Sequence, residues 1–456
     1  MRLAFDHGTL VLSEPPDTDL GELPGVLWDP RVLLWRAPAH RHAELVAAIR
    51  ARRLPLRDEV ASAGARSIRP LQPQPLRAYQ KGALVAWGAA DTRGIVVLPT
   101  GAGKTRVALA AISELGVPAL VVVPTRALLS QWVAELSTLT PEPIGVLGDG
   151  ERVLAPITVS TFESAYRLMP EIGARFDLLV VDEVHHFGVG VRDELLEMSV
   201  ARARLGLTAT PPGPLALSRL ELLVGPVVYE LGVADLAGKY LSDFDLVELR
   251  LPLDHDERER YQADYRRFSE VYRRFVRANP AASWRDFTSA AAATAEGRAA
   301  LNAWRRSKKL ISLTRKKSRA VSEILARHRG GKVLVFTADN DAAYALARRE
   351  LVMPITCEIG RKERTSALDR FREGKIRVLV SSRVLNEGLD VPDASVAVIV
   401  GGTRGEREHV QRIGRLLRPE PGKRAVVYEL VSSGTREVRE SQERRRALAA
   451  AQVARA

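Results

Sequence analysis

The sequence predicts an α/β protein with two lobes built on parallel sheets, a small α+β module at the N-terminus and a helical insertion. Short apolar runs alternate with helical stretches in two separate parts of the 456-residue chain. Such alternation is typical of βαβ units and parallel sheets. The length also exceeds what one hydrophobic core usually organises, so we expect about three domains.

The N-terminal module covers residues 1–60. Apolar residues flank a turn at 6–8, which predicts a β-hairpin, and residues 26–35 indicate another strand region. Residues 41–53 have helical periodicity. The apolar face of this helix carries Leu45, Val46 and Ile49. A Pro-rich segment at 61–75 is typical of an extended linker and a domain boundary.

The two lobes are expected at residues 76–240 and 305–435. The first has buried-strand patterns at 94–98, 119–123, 157–160 and 178–181. The second has them at 332–336, 376–381, 395–400 and 425–430. Between the lobes, residues 250–304 are charged and helical, and 436–456 form a charged tail.

Composition narrows the class of protein. Hydrophobic residues make up 46% of the chain, and no apolar run is long enough to span a bilayer. The start lacks the order of a signal peptide, so a cytoplasmic location is expected. A single cysteine, Cys357, excludes an intrachain disulfide and a cysteine-rich metal centre. The net charge of +13 suits a polyanionic partner, or simply favours solubility.

A phosphate-binding loop is predicted at residues 98–105. It follows a strand and precedes a helix, which is the setting that such loops need, although the first glycine of the strict pattern is missing. Gly101 and Gly103 let the backbone N–H groups turn toward phosphates. Lys104 is expected at the β- and γ-phosphates and Thr105 at Mg²⁺. The candidate nucleotide-binding residues of this loop are Thr100, Gly101, Ala102, Gly103, Lys104 and Thr105.

A second acidic motif ends the strand at 178–181. Asp182 is suited to Mg²⁺, and Glu183 is suited to accept the proton of an attacking water. The adjacent His185 and His186 also allow a zinc site, but no third and fourth ligand occur at the required spacing.

These motifs resemble those of helicase superfamily two. Residues 182–185 resemble its DExH box and residues 98–105 its motif I. Residues 76–80 resemble the element before motif I, which implies that Arg77 stacks on adenine and that Gln80 hydrogen-bonds its edge. The resemblance implies two RecA-like lobes with ATP and Mg²⁺ as cofactors.

Further motifs of this superfamily occur in the second half of the chain. Residues 381–392 resemble motif V, and residues 411–418 resemble motif VI. In motif V, Gly388 and Asp390 are expected near the nucleotide. In motif VI, Arg415 and Arg418 share a helical face and are expected to act as arginine fingers.

Loops after the predicted strands are expected to contact the nucleic acid. Residues 124–126 resemble motif Ia and residues 160–161 motif Ic, and residues 207–210 resemble motif III, which couples the ATP state to the nucleic-acid track. The candidate nucleic-acid contacts are Thr125, Arg126, Ser160, Thr161, Ser382 and Arg383.

The order and spacing of all these motifs resemble the archaeal and bacterial XPB (Rad25) family of DNA repair helicases over nearly the whole chain. The resemblance implies a damage-recognition module at 1–60 and a helical thumb at 250–304. It also implies ATP-driven movement along DNA, as a single strand or a fork, in the 3′ to 5′ direction. Nucleotide excision repair is the implied pathway, with a structure-specific nuclease as partner and no membrane.

One departure from the family concerns strand separation. Members carry an Arg-Glu-Asp triplet shortly after motif III, whereas residues 211–217 of this chain contain no charged residue. We therefore expect weak unwinding and an intact ATP site. Two alternatives stay open: an RNA helicase, because phosphate tracking is common to both polymers, and a duplex-DNA translocase with little intrinsic unwinding. A non-catalytic DNA-binding scaffold is a third interpretation, but the intact engine motifs argue against it.

Overall fold

The structure, a computed structural model, divides into two compact units, Met1–Val233 and Ala234–Ala456. The residues that it describes are 1–13, 20–60, 68–69, 71–72, 74–190, 192–236, 243–280, 282–382, 394–401 and 424–443.

The first unit begins with a small five-stranded sheet and one helix. Its elements are β1 (Arg2–Asp6), β2 (Thr9–Ser13), β3 (Leu27–Asp29), β4 (Leu34–Pro38), α1 (His42–Ala51) and β5 (Arg57–Asp58). The strand order is β3-β4-β2-β1-β5. His7 and Gly8 both have positive φ, so the β1–β2 hairpin closes through a tight two-residue turn. The predicted hairpin and helix are confirmed, and the strand region expected at 26–35 contains β3 and the start of β4, which form a second hairpin.

An eight-stranded sheet forms the larger part of the first unit. Its strands are β6 (Arg93–Val97), β7 (Ala119–Val123), β8 (Ile144–Gly148), β9 (Glu151–Val153), β10 (Ile157–Thr161), β11 (Leu178–Asp182), β12 (Ala203–Thr208) and β13 (Val227–Glu230). The helices are α2 (Ala78–Ala89), α3 (Lys104–Leu115), α4 (Arg126–Ser137), α5 (Phe162–Ile172), α6 (Glu194–Glu197) and α7 (Pro214–Leu223). The short helix α8 (Val233–Leu236) begins at the last residue of this unit.

The order of this sheet is β13-β6-β12-β11-β7-β10-β8-β9, and every pairing except β8–β9 is parallel. Strands β7, β10 and β11 are buried along their whole length. Continuous burial is expected where helices cover both faces, and it explains why these strands appear in the sequence as unbroken apolar runs.

The N-terminal module packs directly on this sheet domain. Val200, which precedes β12, belongs to the same buried cluster as Leu3 and Leu45. Gly173 lies so close to Phe5 that a Cβ at position 173 would approach the ring to 2.8 Å. The module and the first lobe therefore share part of one core.

The second unit contains a six-stranded parallel sheet. Its strands are β14 (Asp243–Pro252), β15 (Val333–Phe336), β16 (Met353–Ile355), β17 (Val378–Ser381), β18 (Val396–Ile399) and β19 (Arg424–Ser433), in the order β14-β19-β18-β15-β17-β16. Helices α12 (Arg315–Arg327), α13 (Asn340–Glu350) and α14 (Arg361–Arg372) connect them.

Three helices are inserted between β14 and α12. They are α9 (His255–Ala278), α10 (Trp284–Ala293) and α11 (Ala295–Ser312). Aromatic side chains of all three meet in one cluster that includes Phe268, Phe287 and Trp304. Two boundaries drawn from the sequence fall inside regular elements, because residue 250 lies within β14 and residue 304 within α11.

Candidate functional site

The carboxyl ends of β6, β12 and β11 lie side by side in the first unit. Val97 of β6 pairs with Thr208 of β12, and Asp182 of β11 pairs with Leu207. The predicted phosphate loop and the Asp182-Glu183 pair consequently meet at the same sheet edge, with motif III between them. Ligands of open parallel α/β sheets bind at this kind of edge.

The phosphate loop has the backbone curl that its glycines predict. Gly101 has φ 84° and Gly103 has φ 76°, a region that residues with a Cβ seldom adopt. Gly103 is the residue before α3, so Lys104 and Thr105 occupy the first turn of that helix. The Lys104 Nζ donates to the Leu98 carbonyl at 3.3 Å, a neutral partner that a phosphate oxygen can replace with a stronger, charge-assisted bond.

The helix α2 supports this loop from below. Tyr79 Oη and Gln80 Nε2 both donate to the Ala102 carbonyl, at 2.6 and 2.9 Å. Gln80 Oε1 accepts the N–H of Arg77 at 2.9 Å, and the side chain is 1% exposed. Gln80 thus holds the loop, and its contact with adenine stays a prediction, as does stacking of Arg77. The Ala102 N–H donates to the Pro99 carbonyl within the loop, and a contact of Ala102 with phosphate stays a prediction.

Asp182 is held by two hydrogen bonds at the end of β11. The Trp132 indole donates to one carboxylate oxygen and the Glu183 N–H to the other, each at 3.0 Å. Burial raises the pKa of the Asp182 carboxyl, while the positive charge of Lys104 opposes this rise. A magnesium ion would add positive charge in the same place and favour the ionised carboxylate.

Glu183, His185 and Thr208 form a connected group beside Asp182. The imidazole Nδ1 of His185 lies 2.9 Å from Thr208 Oγ1 and 3.4 Å from Glu183 Oε2. The Thr208 hydroxyl also donates to the Thr210 carbonyl at 2.9 Å. Motif III is therefore hydrogen-bonded to the acidic motif through one histidine.

Thr208 contacts the phosphate loop as well. Its carbonyl accepts the Leu98 N–H at 3.0 Å, where the loop leaves β6. One residue of motif III thus binds motif I with its backbone and the acidic motif with its side chain. A displacement at either motif changes a contact of Thr208.

Thr105 and Asp182 carry hard oxygen atoms of the kind that Mg²⁺ takes from proteins, and their role as its ligands stays a prediction. Within the described ranges, no three His, Cys, Asp or Glu side chains are grouped so as to hold a metal ion. The described residues therefore offer no set of nitrogen or sulfur ligands for the zinc alternative.

The predicted nucleic-acid contacts of the first unit differ in their exposure. Thr125 caps α4 by accepting the Leu128 N–H, and Arg126 next to it is 74% exposed and 3.4 Å from Asp149. Ser160 is fully buried, and its hydroxyl donates to the carbonyls of Leu147 and Thr161 at 3.1 Å. The Ser160 hydroxyl is thus engaged within the protein, and its contact with nucleic acid stays a prediction.

Two other predicted contacts are also engaged within the protein. Thr161 is 8% exposed and caps α5, where its hydroxyl oxygen accepts the Ser164 N–H at 3.2 Å. In the second unit, the Ser382 hydroxyl donates to Asn340 Oδ1 at 2.6 Å and is also buried. The remaining predicted site residues lie outside the described residues. They are Arg383, Gly388, Asp390, Arg415 and Arg418.

Sequence reasoning missed Trp132 and Tyr79, which position the acidic motif and the phosphate loop. Both are buried aromatic residues with a polar tip that finds a partner, as is usual for Trp and Tyr in a core. The position of Tyr79 immediately before Gln80 was the one sequence signal for its role at the phosphate loop. Trp132 gave no such signal, because it lies in α4, far from Asp182 along the chain.

Comparison with known families agrees with this geometry. Residues 3–60 match the xeroderma pigmentosum group B helicase damage recognition domain. Residues 74–213 match the res subunit of type III restriction enzymes, and residues 316–420 match the helicase conserved C-terminal domain. Of the helices that lie in the described part of the chain, none is both long and apolar enough to cross a membrane.

Solved structures show the same fold. The Hef helicase domain of Pyrococcus furiosus aligns over 81% of this chain and 98% of its own, with a TM-score of 0.52 and 19% identity. Dbp5 of S. cerevisiae, bound to RNA and ADP BeF3, aligns over 82% of this chain and 88% of its own, with a TM-score of 0.55 and 16% identity. The two sheet domains are RecA-like helicase lobes, as predicted.

Curated relatives establish the family. The DNA 3′-5′ translocase XPB2 of Sulfurisphaera tokodaii is 38% identical over 81% of this chain and 84% of its own length. The putative DNA 3′-5′ helicase Rad25 of Halobacterium salinarum is 30% identical over 97% of this chain and 70% of its own length. The DNA 3′-5′ helicase XPB of Mycobacterium tuberculosis is 31% identical over 82% of this chain and 64% of its own length, so this chain spans just under two thirds of that protein. The chain belongs to the XPB (Rad25) family of superfamily-two DNA helicases and translocases.

Proposed function

We propose that this chain is an ATP-driven motor that moves along DNA in the 3′ to 5′ direction during DNA repair. The family supports the class of reaction, and the names of its relatives support the direction. Relatives carry the names of both helicases and translocases, so the family alone leaves the extent of unwinding open.

The observation that carries this proposal is the position of Thr208. It binds the phosphate loop through its carbonyl and His185 of the acidic motif through its hydroxyl. A motor needs such a connection, because hydrolysis does work only if the nucleotide site and the track-binding loops change together. An isolated phosphate-binding fold would not require it.

In the proposed mechanism, the phosphate loop and Lys104 bind the triphosphate. Thr105 and Asp182 would hold Mg²⁺, which supplies charge neutralisation at the β- and γ-phosphates when bound. Glu183 orients the attacking water and takes its proton. We further propose that Arg415 and Arg418 neutralise charge on the transferred phosphoryl group, as the motif VI resemblance implies.

The ATPase rate of the purified chain tests this proposal. We expect a low rate without nucleic acid, and a marked increase with single-stranded or forked DNA in the presence of Mg²⁺. A matched RNA oligomer should stimulate far less. Equal stimulation by RNA would favour the RNA helicase alternative, and a rate of zero under all conditions would favour the non-catalytic scaffold.

A structure-specific nuclease stays the proposed partner. Eukaryotic relatives are named as subunits of a general transcription and DNA repair factor, which supports work inside an assembly for members of this family. The opened DNA that a motor leaves behind is a suitable substrate for such a nuclease. A cytoplasmic location stays a prediction that rests on composition.

A further inference from the structure

A groove lies on the outer side of α9, where the inserted helices meet the segment after β19. Its volume is about 450 Å³, within the range of about 300–1,000 Å³ that is usual for ligand sites. One wall is a stripe of α9 that includes Gln262, Tyr265, Arg266 and Arg273. The other wall is residues 434–436.

The opposite side of α9 has a structural role. Phe268 and Tyr272 are directed into the aromatic cluster with Phe287, with ring centroids 6.1 and 4.9 Å from that ring. Tyr265, Arg266 and Arg273 of the groove lie outside this aromatic cluster. Tyr261, which also lines the groove, is buried and packs against Ile311 of α11.

Tyr265 is an exposed aromatic residue of the groove. Its ring is stacked on Tyr261, with centroids 5.5 Å apart and planes 10° apart, and the residue is 36% exposed. Tyr261 is buried, and its hydroxyl accepts the Arg436 N–H at 3.1 Å. The Tyr265 ring is thus fixed in orientation, with exposed surface on which another flat ring can stack.

Among the residues that the structure describes, every charged side chain that lines the groove is positive. These side chains are Arg266, Arg273 and Arg436, and this part of the lining contains no Asp or Glu. Arg436 is near Glu440 at 3.6 Å, whereas in the part of the chain that is described neither Arg266 nor Arg273 forms an ion pair. The groove therefore attracts an anion, and its two exposed arginines lie about 10 Å apart along the helix axis.

We propose that this groove binds a single-stranded segment of the nucleic-acid track, with one base on Tyr265 and neighbouring phosphates on Arg266 and Arg273. A fixed aromatic ring beside spaced cations is the combination that binds single strands without sequence preference. The inference rests on the proposed motor function and adds a strand contact outside both RecA-like lobes.

The chemistry of the groove distinguishes a single strand from other anions. A duplex buries its base faces in the stack, so it cannot use Tyr265 except at an end. A free polyphosphate would bind the arginines and be indifferent to the tyrosine. Dependence on both residue types is the signature of an unpaired nucleotide.

Equilibrium binding of a fluorescent oligo(dT) strand to the full chain tests the proposal. Tyr265→Leu should weaken binding about five-fold or more, because loss of a base–aromatic stack costs at least about 1 kcal/mol. Tyr265→Phe keeps the ring and should bind like the wild type. Arg266→Gln and Arg273→Gln should each weaken binding and reduce its salt dependence by about one phosphate contact.

Arg267→Gln is the matched control, because Arg267 lies on the same helix and is exposed but does not line the groove. An oligomer with abasic positions should bind the wild type more weakly, and Tyr265→Leu should not discriminate between the two strands. The proposal is overturned if Tyr265→Leu binds like the wild type, or if Arg267→Gln costs as much as Arg266→Gln.

The basal ATPase rate and the thermal unfolding midpoint of each variant separate these outcomes from misfolding. Wild-type protein that neither binds DNA nor is stimulated by it would contradict the proposed motor function. Wild-type protein that is stimulated by DNA, with variants that bind equally well, would contradict the groove alone.

Discussion

Glu183 follows β11 in a left-handed backbone conformation, with φ 55° and ψ 49°. A residue with a Cβ seldom adopts this region, and such strain is retained mainly where the surroundings hold it for function. In this conformation the Glu183 carboxylate lies 3.4 Å from His185 Nδ1. The strained residue is therefore the one to which we assign proton abstraction.

We predict that Glu183→Gln binds ATP and DNA but loses turnover by about 100-fold or more, because an amide cannot accept the proton of the attacking water. Steady-state ATPase assays and nucleotide binding measure the two effects. Glu194→Gln, which removes one exposed acidic charge from α6, is the control and should hydrolyse ATP normally. Near-normal turnover in Glu183→Gln would show that another group is the base.

His40 lies where the N-terminal module meets the first lobe. Burial and the nearby positive charge of Arg204 lower the pKa of His40 to about 4. The unfolded chain has a histidine pKa of about 6.5, so between these two values the unfolded state binds more protons than the folded state. The contribution of His40 to stability is thus complete above pH 6.5 and is lost as the pH falls toward 4.

We predict that His40→Gln reduces the acid sensitivity of the first unit. Urea denaturation of the full chain at pH 7.5 and pH 5 should show that the wild type loses more stability than the variant, by at most about 2 kcal/mol. Comparing the two proteins cancels the carboxylates that titrate in both. An identical loss in wild type and variant would contradict a buried, neutral His40.

At the level of elements, the sequence predicted three of the strands that are buried along their whole length. The runs at 119–123, 157–160 and 178–181 correspond to β7, β10 and β11 within a residue. An unbroken apolar run is a strong signal, because little else in a soluble protein requires it. Strand β12 is equally buried but was missed, because Arg204 and Gly206 interrupt its apolar run. Strands β8, β9, β13, β14 and β16 were missed as well, and β9, β13, β14 and β16 lie at sheet edges.

The ends of the helical insertion could not be predicted for a related reason. Helix α11 runs from the aromatic cluster of the insertion to Ile311, which is buried against Leu253 and Tyr261 beside the second lobe. The apolar periodicity of α11 continues unchanged through the point where its packing partner changes from the aromatic cluster to Leu253 and Tyr261. The boundaries at 250 and 304 remain a prediction about domains, although both fall within continuous elements. For a test of the groove, point substitutions are therefore preferable to deletion of the insertion, because a deletion that ends at residue 304 would cut α11.

For the candidate site, motifs with an obligatory backbone geometry were predictable. The loop at 101–103 needs positive φ, and the sequence shows this need as glycine. A hydroxyl carries no such information, because Ser160 in a strand and Thr125 at a helix cap look alike in sequence. Only the burial of Ser160 excludes it from the surface.

For the whole molecule, charge is distributed unevenly. Of the net charge of +13, the helical insertion at 255–312 contributes +6, from thirteen Arg and Lys against seven Asp and Glu. The N-terminal module has eight Arg and nine Asp or Glu between residues 1 and 60. Counterion release on binding DNA should therefore depend more on the insertion than on the module.

We expect the segment after motif III to determine how well the chain separates strands. Residues 211–217 lack a charged group, and Leu215 at the start of α7 is 92% exposed. We predict strong DNA-stimulated ATPase activity but weak unwinding of a forked duplex by the chain alone. Leu215→Ala should leave both activities unchanged, as should Leu222→Ala, a 45% exposed control on the same helix. Efficient unwinding that collapses only in Leu215→Ala would instead identify an apolar wedge.

Directional movement along DNA is the most direct test of the motor. ATP-dependent displacement of streptavidin from single strands with biotin at either end reports both movement and polarity. We predict rapid release from the 5′ end, little release from the 3′ end, and none from either end with Glu183→Gln. Absence of ATP-dependent release from both ends, in a preparation whose ATPase is stimulated by DNA, would contradict translocation, and preferential release from the 3′ end would contradict the proposed polarity.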